Sequence, residues 1–355
     1  MSRFMSRKYD KLKAYTPGEQ PQDMQYIKLN TNESPYAPSK KVLEAAKREA
    51  GKLQLYSDPE CRPLAQKMAD HFGVEYENVL MTNGSDEILN FAFMAFCDKD
   101  HPVIFPEITY GFYPVFSQLN DIPYEEIPLN DDLTINVSDY INAGKNIVIA
   151  NPNAPTGINL SLSEVEEIVK SNPNNIVVID EAYVDFGGES CIPLIKKYDN
   201  LLVTQTFSKS RSMAGARLGF GIGAKELIND LNTIKYSTNP YNVNRMTMAA
   251  GLAAMEDNDY YMDNCKKIIE TRAYTKTGLE MLGFTMPDSK TNFLFAKTDK
   301  IEDGELYKEL KKRGVLVRHF SKEKISDYIR ITIGTKEQMD VFLSAVKEII
   351  SKVEG

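Results

Sequence analysis

IVVIDEAYVDF, residues 176–186, decides the fold. Its first four residues are apolar with no polar residue between them, and a carboxylate follows at once. A strand with one wet face alternates apolar and polar residues. An unbroken apolar run instead fits a strand of a parallel sheet covered on both faces. Asp180 then falls at the rim of that sheet.

Similar runs lie on either side. VLMTN (79–83), PVIF (102–105), NIVIA (146–150), LLVTQTF (201–207) and LGFGI (218–222) read as buried strands. Helical stretches separate them. DEILNFAFMAF (86–96) is apolar all round and therefore buried. LSEVEEIVK (162–170) follows Ser161, whose spacing to Glu164 is that of a capping box. Strand and helix in alternation predict a doubly wound α/β architecture.

The C-terminal ninety residues differ. RGVLVRHF (313–320) and YIRITIG (328–334) read as strands. Residues 335–353 carry Met339, Phe342, Leu343, Val346, Ile349, Ile350 and Val353 at the spacing of one helix face, with Thr335 and Gln338 as its cap. A smaller α+β domain is predicted here. The first forty residues, rich in Pro, Asn and Gln, predict an extended arm, and residues 240–280 a long helical bridge. The expected division is 1–40, arm and part of the small domain; 41–265, large domain; 266–355, small domain.

With 355 residues and 42% hydrophobic content, the chain can bury more than one core. Its 42 basic and 50 acidic residues give a net charge of −8, which argues against a nucleic-acid binder. No run approaches the length of a membrane span, and the basic N-terminus lacks the apolar core of a secretory signal. Cys61, Cys97, Cys191 and Cys265 have neither metal nor redox spacing, and fit free thiols in a reducing cytoplasm. Three histidines make no His-rich metal site, so no metal is expected.

Ligands of open α/β sheets bind outside the carboxyl ends of the strands. Four polar clusters fall at such ends: NGSDE (83–87), NPNAPTG (151–157), DEAY (180–183) and TFSKS (206–210). Taken singly, each has a plain reading. Asp180 could cap a turn, Lys209 could be a solvated charge, and NPNAPTG could be a structural turn. Together they converge. Ser85 and Asp86 open a helix whose N–H groups suit a phosphate. Thr206, Ser208 and Arg217 are anion-binding types beside Lys209, and Gly215 and Gly219 allow close backbone approach. A lysine made less basic by burial and neighbouring cations forms Schiff bases. A phosphate cradle, such a lysine and a carboxylate for a ring nitrogen describe pyridoxal phosphate.

The chain resembles the fold-type I pyridoxal-phosphate aminotransferases, and most closely the histidinol-phosphate aminotransferases. LNTNESP (29–35), YSDPE (56–60), TNGSDE (82–87), PEITYGFY (106–113), NPNAPTG, DEAYVDF (180–186), TFSKSRSMAGARLGF (206–220), TNF (291–293) and RITIGT (330–335) carry the likeness in the family's order. It implies a mostly parallel seven-stranded sheet between helices, with a smaller α+β domain. Lys209 would form the internal aldimine and shuttle the proton, and Asp180 would hold the pyridinium. Tyr110 would stack on the ring, and Tyr183 would bond its phenolic oxygen. Ser85, Asp86, Thr206, Ser208 and Arg217 would hold the phosphate. Tyr56 would reach the other subunit's cofactor, which implies a homodimer. The family usually has Asn where this chain has Ala154; Asn153 is carried over in that role, with a purely structural turn as the alternative.

On the substrate side, Ile329, Ile331 and Ile333 alternate with Arg330 and Thr332, so Arg330 faces away from the apolar side. A strand arginine so placed is often merely solvated. The resemblance makes it an anion grip, with Arg318, Tyr15 and Asn32 in the same pocket. Two arginines suit a phosphate monoester, with nearly two charges and three acceptor oxygens, better than a single carboxylate. The implied activity is amino exchange between L-histidinol phosphate and 2-oxoglutarate or glutamate, in histidine biosynthesis. A threonine-phosphate decarboxylase-like lyase, or an aminotransferase for aromatic or other amino acids, would use the same residues. A pyridoxal-phosphate-binding regulator would need a DNA-binding segment for which the chain has no room. Arg211 is assigned only a structural or solvated charge.

Overall fold

A computed structural model describes residues 2–10, 12–302 and 304–354. Its strands, in chain order, are β1 (Ile27–Lys28), β2 (Val79–Thr82), β3 (Val103–Pro106), β4 (Tyr124–Ile127), β5 (Asn146–Ala150) and β6 (Val177–Asp180). There follow β7 (Leu201–Thr206), β8 (Gly219–Gly223), β9 (Phe293–Lys297), β10 (Val315–Leu316), β11 (Arg318–His319) and β12 (Tyr328–Thr332). The helices are α1 (Lys40–Ala50), α2 (Arg62–Phe72), α3 (Ser85–Phe96), α4 (Tyr113–Leu119) and α5 (Leu162–Ser171). After them come α6 (Lys225–Thr238), α7 (Arg245–Glu256), α8 (Asn258–Met281), α9 (Glu305–Lys312) and α10 (Lys336–Glu354).

The main sheet has seven strands in the order β2-β8-β7-β6-β5-β3-β4. All run parallel except β8, which is antiparallel to both its neighbours. The apolar run at 176–180 is covered on both faces, as its lack of alternation predicts. Val177 and Ile179 enter one apolar cluster with α2, α5 and α7, while Val178 enters another with α3 and α6. Each such side chain, fully withdrawn from water, contributes roughly 1.5–3 kcal/mol. The edge strand β4, sequence YEEI, carries three exposed residues and lacks the apolar run that marks the other strands.

The chain leaves β3 for the edge strand β4 and then returns to β5 on the other side of β3. That reversal opens a crevice at the carboxyl ends of β3 and β5, where open α/β sheets take ligands. The loops after β3, β5, β6 and β7 and the start of α3 all face this end.

A third apolar cluster joins β9, β12, α8 and α10. Ser161 and Glu164 form the expected capping box on α5, and Thr335 and Gln338 exchange hydrogen bonds at the start of α10. Two expectations change. The helical stretch 240–280 is two helices, α7 and α8, meeting at Asp257. The strand expected over 313–320 divides at Val317: β10 pairs with β1 of the arm, whereas β11 pairs with β12. The arm is therefore paired at Ile27–Lys28 with β10, in a two-stranded parallel sheet of its own, rather than extended throughout.

Candidate active site

Two adjoining cavities lie at the carboxyl end of the main sheet, one of about 100 Å³ and one of about 400 Å³. Tyr110, Ala154, Tyr183 and Lys209 line both.

The smaller cavity is built around Asp180, the last residue of a central strand. Burial raises its pKa to about 6, opposed by a hydrogen bond from the Tyr113 hydroxyl. That bond measures 3.0 Å, and the Thr204 hydroxyl donates to the other carboxylate oxygen at 3.4 Å. A cation beside Asp180 would reverse the shift by favouring the ionised form. Tyr113 had no role in the sequence reading. It closes PEITYGFY and is fully buried on α4, and burial drives its own pKa well upward. A buried tyrosine in an otherwise apolar helix needs a partner for its hydroxyl, and that is the signal that could have found it.

The other end of this cavity is an anion cradle. Gly84 and Ser85 open α3, whose N-cap has no side-chain hydrogen bond. A Cβ on Gly219 would lie 2.4 Å from the Gly84 carbon and the Ser85 nitrogen. Only glycine lets β8 pack so close against the helix start. Thr206 and Ser208 are buried and linked hydroxyl to hydroxyl at 2.9 Å. Arg217 reaches the cradle with its Nη2 at 2.9 Å from Asp86, whose other oxygen accepts from Tyr110 at 2.7 Å. Unpaired helix N–H groups, two hydroxyls and a guanidinium form a donor set for a phosphate. Lys209, after β7, enters from between the cavities with its Nζ at 3.4 Å from the Thr31 carbonyl and 5.8 Å from the Tyr183 ring centroid.

The larger cavity holds Tyr15, Asn32, Arg318 and Arg330. Arg318 and Arg330 are direct cross-strand partners in β11 and β12, so both side chains leave the same face. Like charges placed so destabilise a sheet. Arg318 is held by the carbonyls of Thr16 and Pro17, and Arg330 by the carbonyl of Asn30. The Nε of Arg330 is buried without a partner, and no ion pair joins either arginine to an acidic side chain among the described residues. Burial lowers the Arg330 pKa, and Arg318 adds to that effect. Tyr15 stacks on Phe112 at 4.2 Å, and burial raises its pKa against the pull of both arginines. Two guanidinium groups make this end of the site cationic.

Asn153 and Tyr56 line neither cavity of this chain, the second as a role in the other subunit's site requires. The Asn153 amide donates to the Ile108 carbonyl and the Thr156 hydroxyl, and its oxygen accepts from Thr109. It braces the turn and lines neither cavity, whereas Ala154 lines both. Tyr56 is 78% exposed, stacked on Tyr241 at 4.5 Å, and outside the cavities of its own chain. Arg211 is not solvated. It is buried, bonded to Asp185 and Asn258.

Residues 24–346 match the family model for aminotransferase class I and II. A histidinol-phosphate aminotransferase of Brachyspira hyodysenteriae is 51% identical over 352 residues, covering 99% of both chains. One from Clostridium botulinum is 46% identical over 354 residues, covering 99% of this chain and 100% of its own. Among solved structures, the Sinorhizobium meliloti histidinol-phosphate aminotransferase in complex with pyridoxal-5'-phosphate superposes with a TM-score of 0.84 at 23% identity. It covers 93% of this chain and 92% of its own.

Proposed function

The chain belongs to the aminotransferase class I and II family, and from that premise we infer that it exchanges an amino group between L-histidinol phosphate and 2-oxoglutarate or glutamate. Pyridoxal phosphate, when bound, supplies an aldehyde carbon and an electron-accepting ring. The smaller cavity suits it. Ser85 and Asp86 offer backbone N–H groups to its phosphate, joined by Thr206, Ser208 and Arg217. Asp180 would pair with the ring nitrogen and hold a proton there; Tyr113 keeps its carboxylate aligned. Tyr110 would cover a ring face, and Tyr183 would donate to the phenolic oxygen. The Lys209 amine takes the proton from the substrate's Cα, and its place between the cavities supports that role.

The observation that carries the substrate assignment is the cross-strand pair Arg318 and Arg330 without acidic partners. Two facing guanidinium groups match a phosphate monoester's charge and its three oxygens. Tyr15 and Asn32 complete that pocket. The decisive test is a single half-reaction. Histidinol phosphate, added without a keto acid, should bleach the visible absorbance of the cofactor-loaded protein, and 2-oxoglutarate should restore it. Release of carbon dioxide from threonine phosphate, with no response to histidinol phosphate, would establish a decarboxylase instead.

The protein acts on small molecules. The proposed assembly is a homodimer in which Tyr56 serves the other subunit's site. Its support is the exposed apolar group Leu53, Leu55, Tyr56 and Tyr241. No helix among the described residues is long and apolar enough to cross a membrane. The cytoplasm is the expected compartment. Residues 41–265 are read as the cofactor-binding domain, and 1–40 with 266–355 as arm and small domain. The apolar cluster whose buried residues lie wholly between Val42 and Tyr261 supports that division, and the buried residues of the small-domain cluster cross it only at Ala154, Tyr183, Phe186 and Cys265.

A further inference from the structure

Asn32 is placed by the sequence among the substrate contacts, but most of its polar atoms are committed elsewhere. It is 1% exposed and sits at φ 56°, a conformation that Asn tolerates better than most residues. Its backbone N–H donates to the Thr332 hydroxyl at 2.9 Å, and its carbonyl accepts from the Asn292 amide at 3.0 Å. The Thr332 hydroxyl, having accepted one hydrogen, must place its own, and Asn32 Oδ1 takes it at 3.0 Å. That fixes which end of the Asn32 amide is oxygen. Its Nδ2 then points at the Tyr183 hydroxyl and donates at 2.9 Å.

The consequence falls on Tyr183. Its oxygen accepts from Asn32, so its own hydrogen is left for an acceptor in the cavity. Among the described residues no such acceptor is recorded. Ala154 lines the same cavity and its methyl can donate nothing, while the Asn153 amide is tied to Ile108 and Thr156. Among the described residues Tyr183 would then be the side-chain donor to the cofactor's phenolic oxygen, and Asn32 sets its direction.

We propose that Asn32 is a positioning residue that acts through Tyr183, and that this pair does the work of the side-chain amide missing at Ala154. The proposal rests on the transaminase reading above. A donor on the phenolic oxygen stabilises it as an anion. That weakens its hold on the proton it shares with the Lys209 nitrogen when the cofactor is attached. Losing the donor strengthens that hold, so the nitrogen keeps its proton to higher pH.

The test is a pH titration of the visible absorbance of cofactor-loaded, substrate-free protein, which needs no turnover. Tyr183→Phe should raise the midpoint by about one pH unit, the equivalent of about 1.4 kcal/mol. Asn32→Gly, which keeps the φ without strain, should raise it by a smaller amount in the same direction. In the Tyr183→Phe background Asn32→Gly should add nothing, because its effect passes through the missing hydroxyl. Ala154→Asn should lower the midpoint of the parent protein and restore it in Asn32→Gly. Additive shifts in the double variant, or an unmoved midpoint in Asn32→Gly, would overturn the proposal while leaving the transaminase reading intact. Should Asn32→Gly fail to fold, Asn32→Asp, which keeps an acceptor for Thr332 and removes the donor to Tyr183, should raise the midpoint, and an unmoved midpoint there would overturn the proposal. If the parent protein shows no visible band that depends on Lys209, the transaminase reading itself falls and takes this inference with it.

Discussion

Asp180 carries the most pH-sensitive part of the site. With its pKa raised to about 6, the folded protein binds a proton there that the unfolded chain, near the ordinary value of about 3.9, has already released. The stability tied to that proton is fully present below the ordinary value and is lost as pH rises through about 6. The neighbouring Glu181, raised to about 7 by burial, acts in the same direction up to its own value. For cofactor-free protein, Asp180→Asn should therefore remove roughly 3 kcal/mol of the fall in stability between pH 4 and 7, leaving the Glu181 share. Urea unfolding across that range measures it, and parallel curves for parent and variant would contradict the assignment. Tyr113→Phe removes a hydrogen bond to a carboxylate of the site, worth about 1.5–3 kcal/mol. Cofactor retention, read by equilibrium dialysis, should weaken about tenfold or more with the fold intact. Asp180 was legible in the sequence because it ends an apolar run, and Lys209 because it follows a strand among hydroxyl residues with Arg217 and two glycines close behind. Tyr113 was not, because a tyrosine among apolar residues looks like core until its hydroxyl partner is seen. Asn153 and Ala154 are adjacent in the chain, and only the turn's hydrogen bonds show which of them faces the cavity.

At the scale of elements, the anion cradle depends on how closely β8 meets the start of α3. Gly219→Ala would force a methyl into the backbone of Gly84 and Ser85, where no flexible side chain can yield. The expected result is a loss of about 1–3 kcal/mol in stability, seen as a lower Tm, together with weaker cofactor phosphate binding. An unchanged Tm would mean that β8 and α3 are not packed so closely. Unbroken apolar runs disclosed the interior strands, and capping residues disclosed the starts of α5 and α10. The edge strand β4 escaped, since a strand with one partner and three exposed side chains has no apolar signature. The reversed direction of β8 escaped too, because an apolar run has the same composition in either direction. The break at Val317 has no local signal; it arises because β10 and β11 find partners in different sheets.

For the whole molecule, the site draws Tyr15 from the arm, Lys209 from the loop after β7, and Arg318 and Arg330 from the small sheet. Arg318→Ala should lose far more kcat/KM on histidinol phosphate than on glutamate, by at least tenfold in the ratio, since a doubly charged phosphate needs the second fork more. Equal losses would remove Arg318 as a phosphate contact. The proposed homodimer can be tested by mixing. Tyr56→Ala and Lys209→Ala subunits, each weak or inactive alone, should regain activity when exchanged, because one site of the mixed dimer is then complete. No recovery would mean that Tyr56 does not act across subunits. What the sequence determined by itself was the layered α/β architecture and the cofactor, pyridoxal phosphate. Both are written in local patterns: apolar runs, and the polar residues that end them. Tertiary structure alone decided which residues face each other: Arg318 opposite Arg330, Asn32 against Tyr183, Tyr113 under Asp180. Those pairings join strands and loops tens to hundreds of residues apart, and burial of the apolar faces, rather than any local preference, brings them into contact.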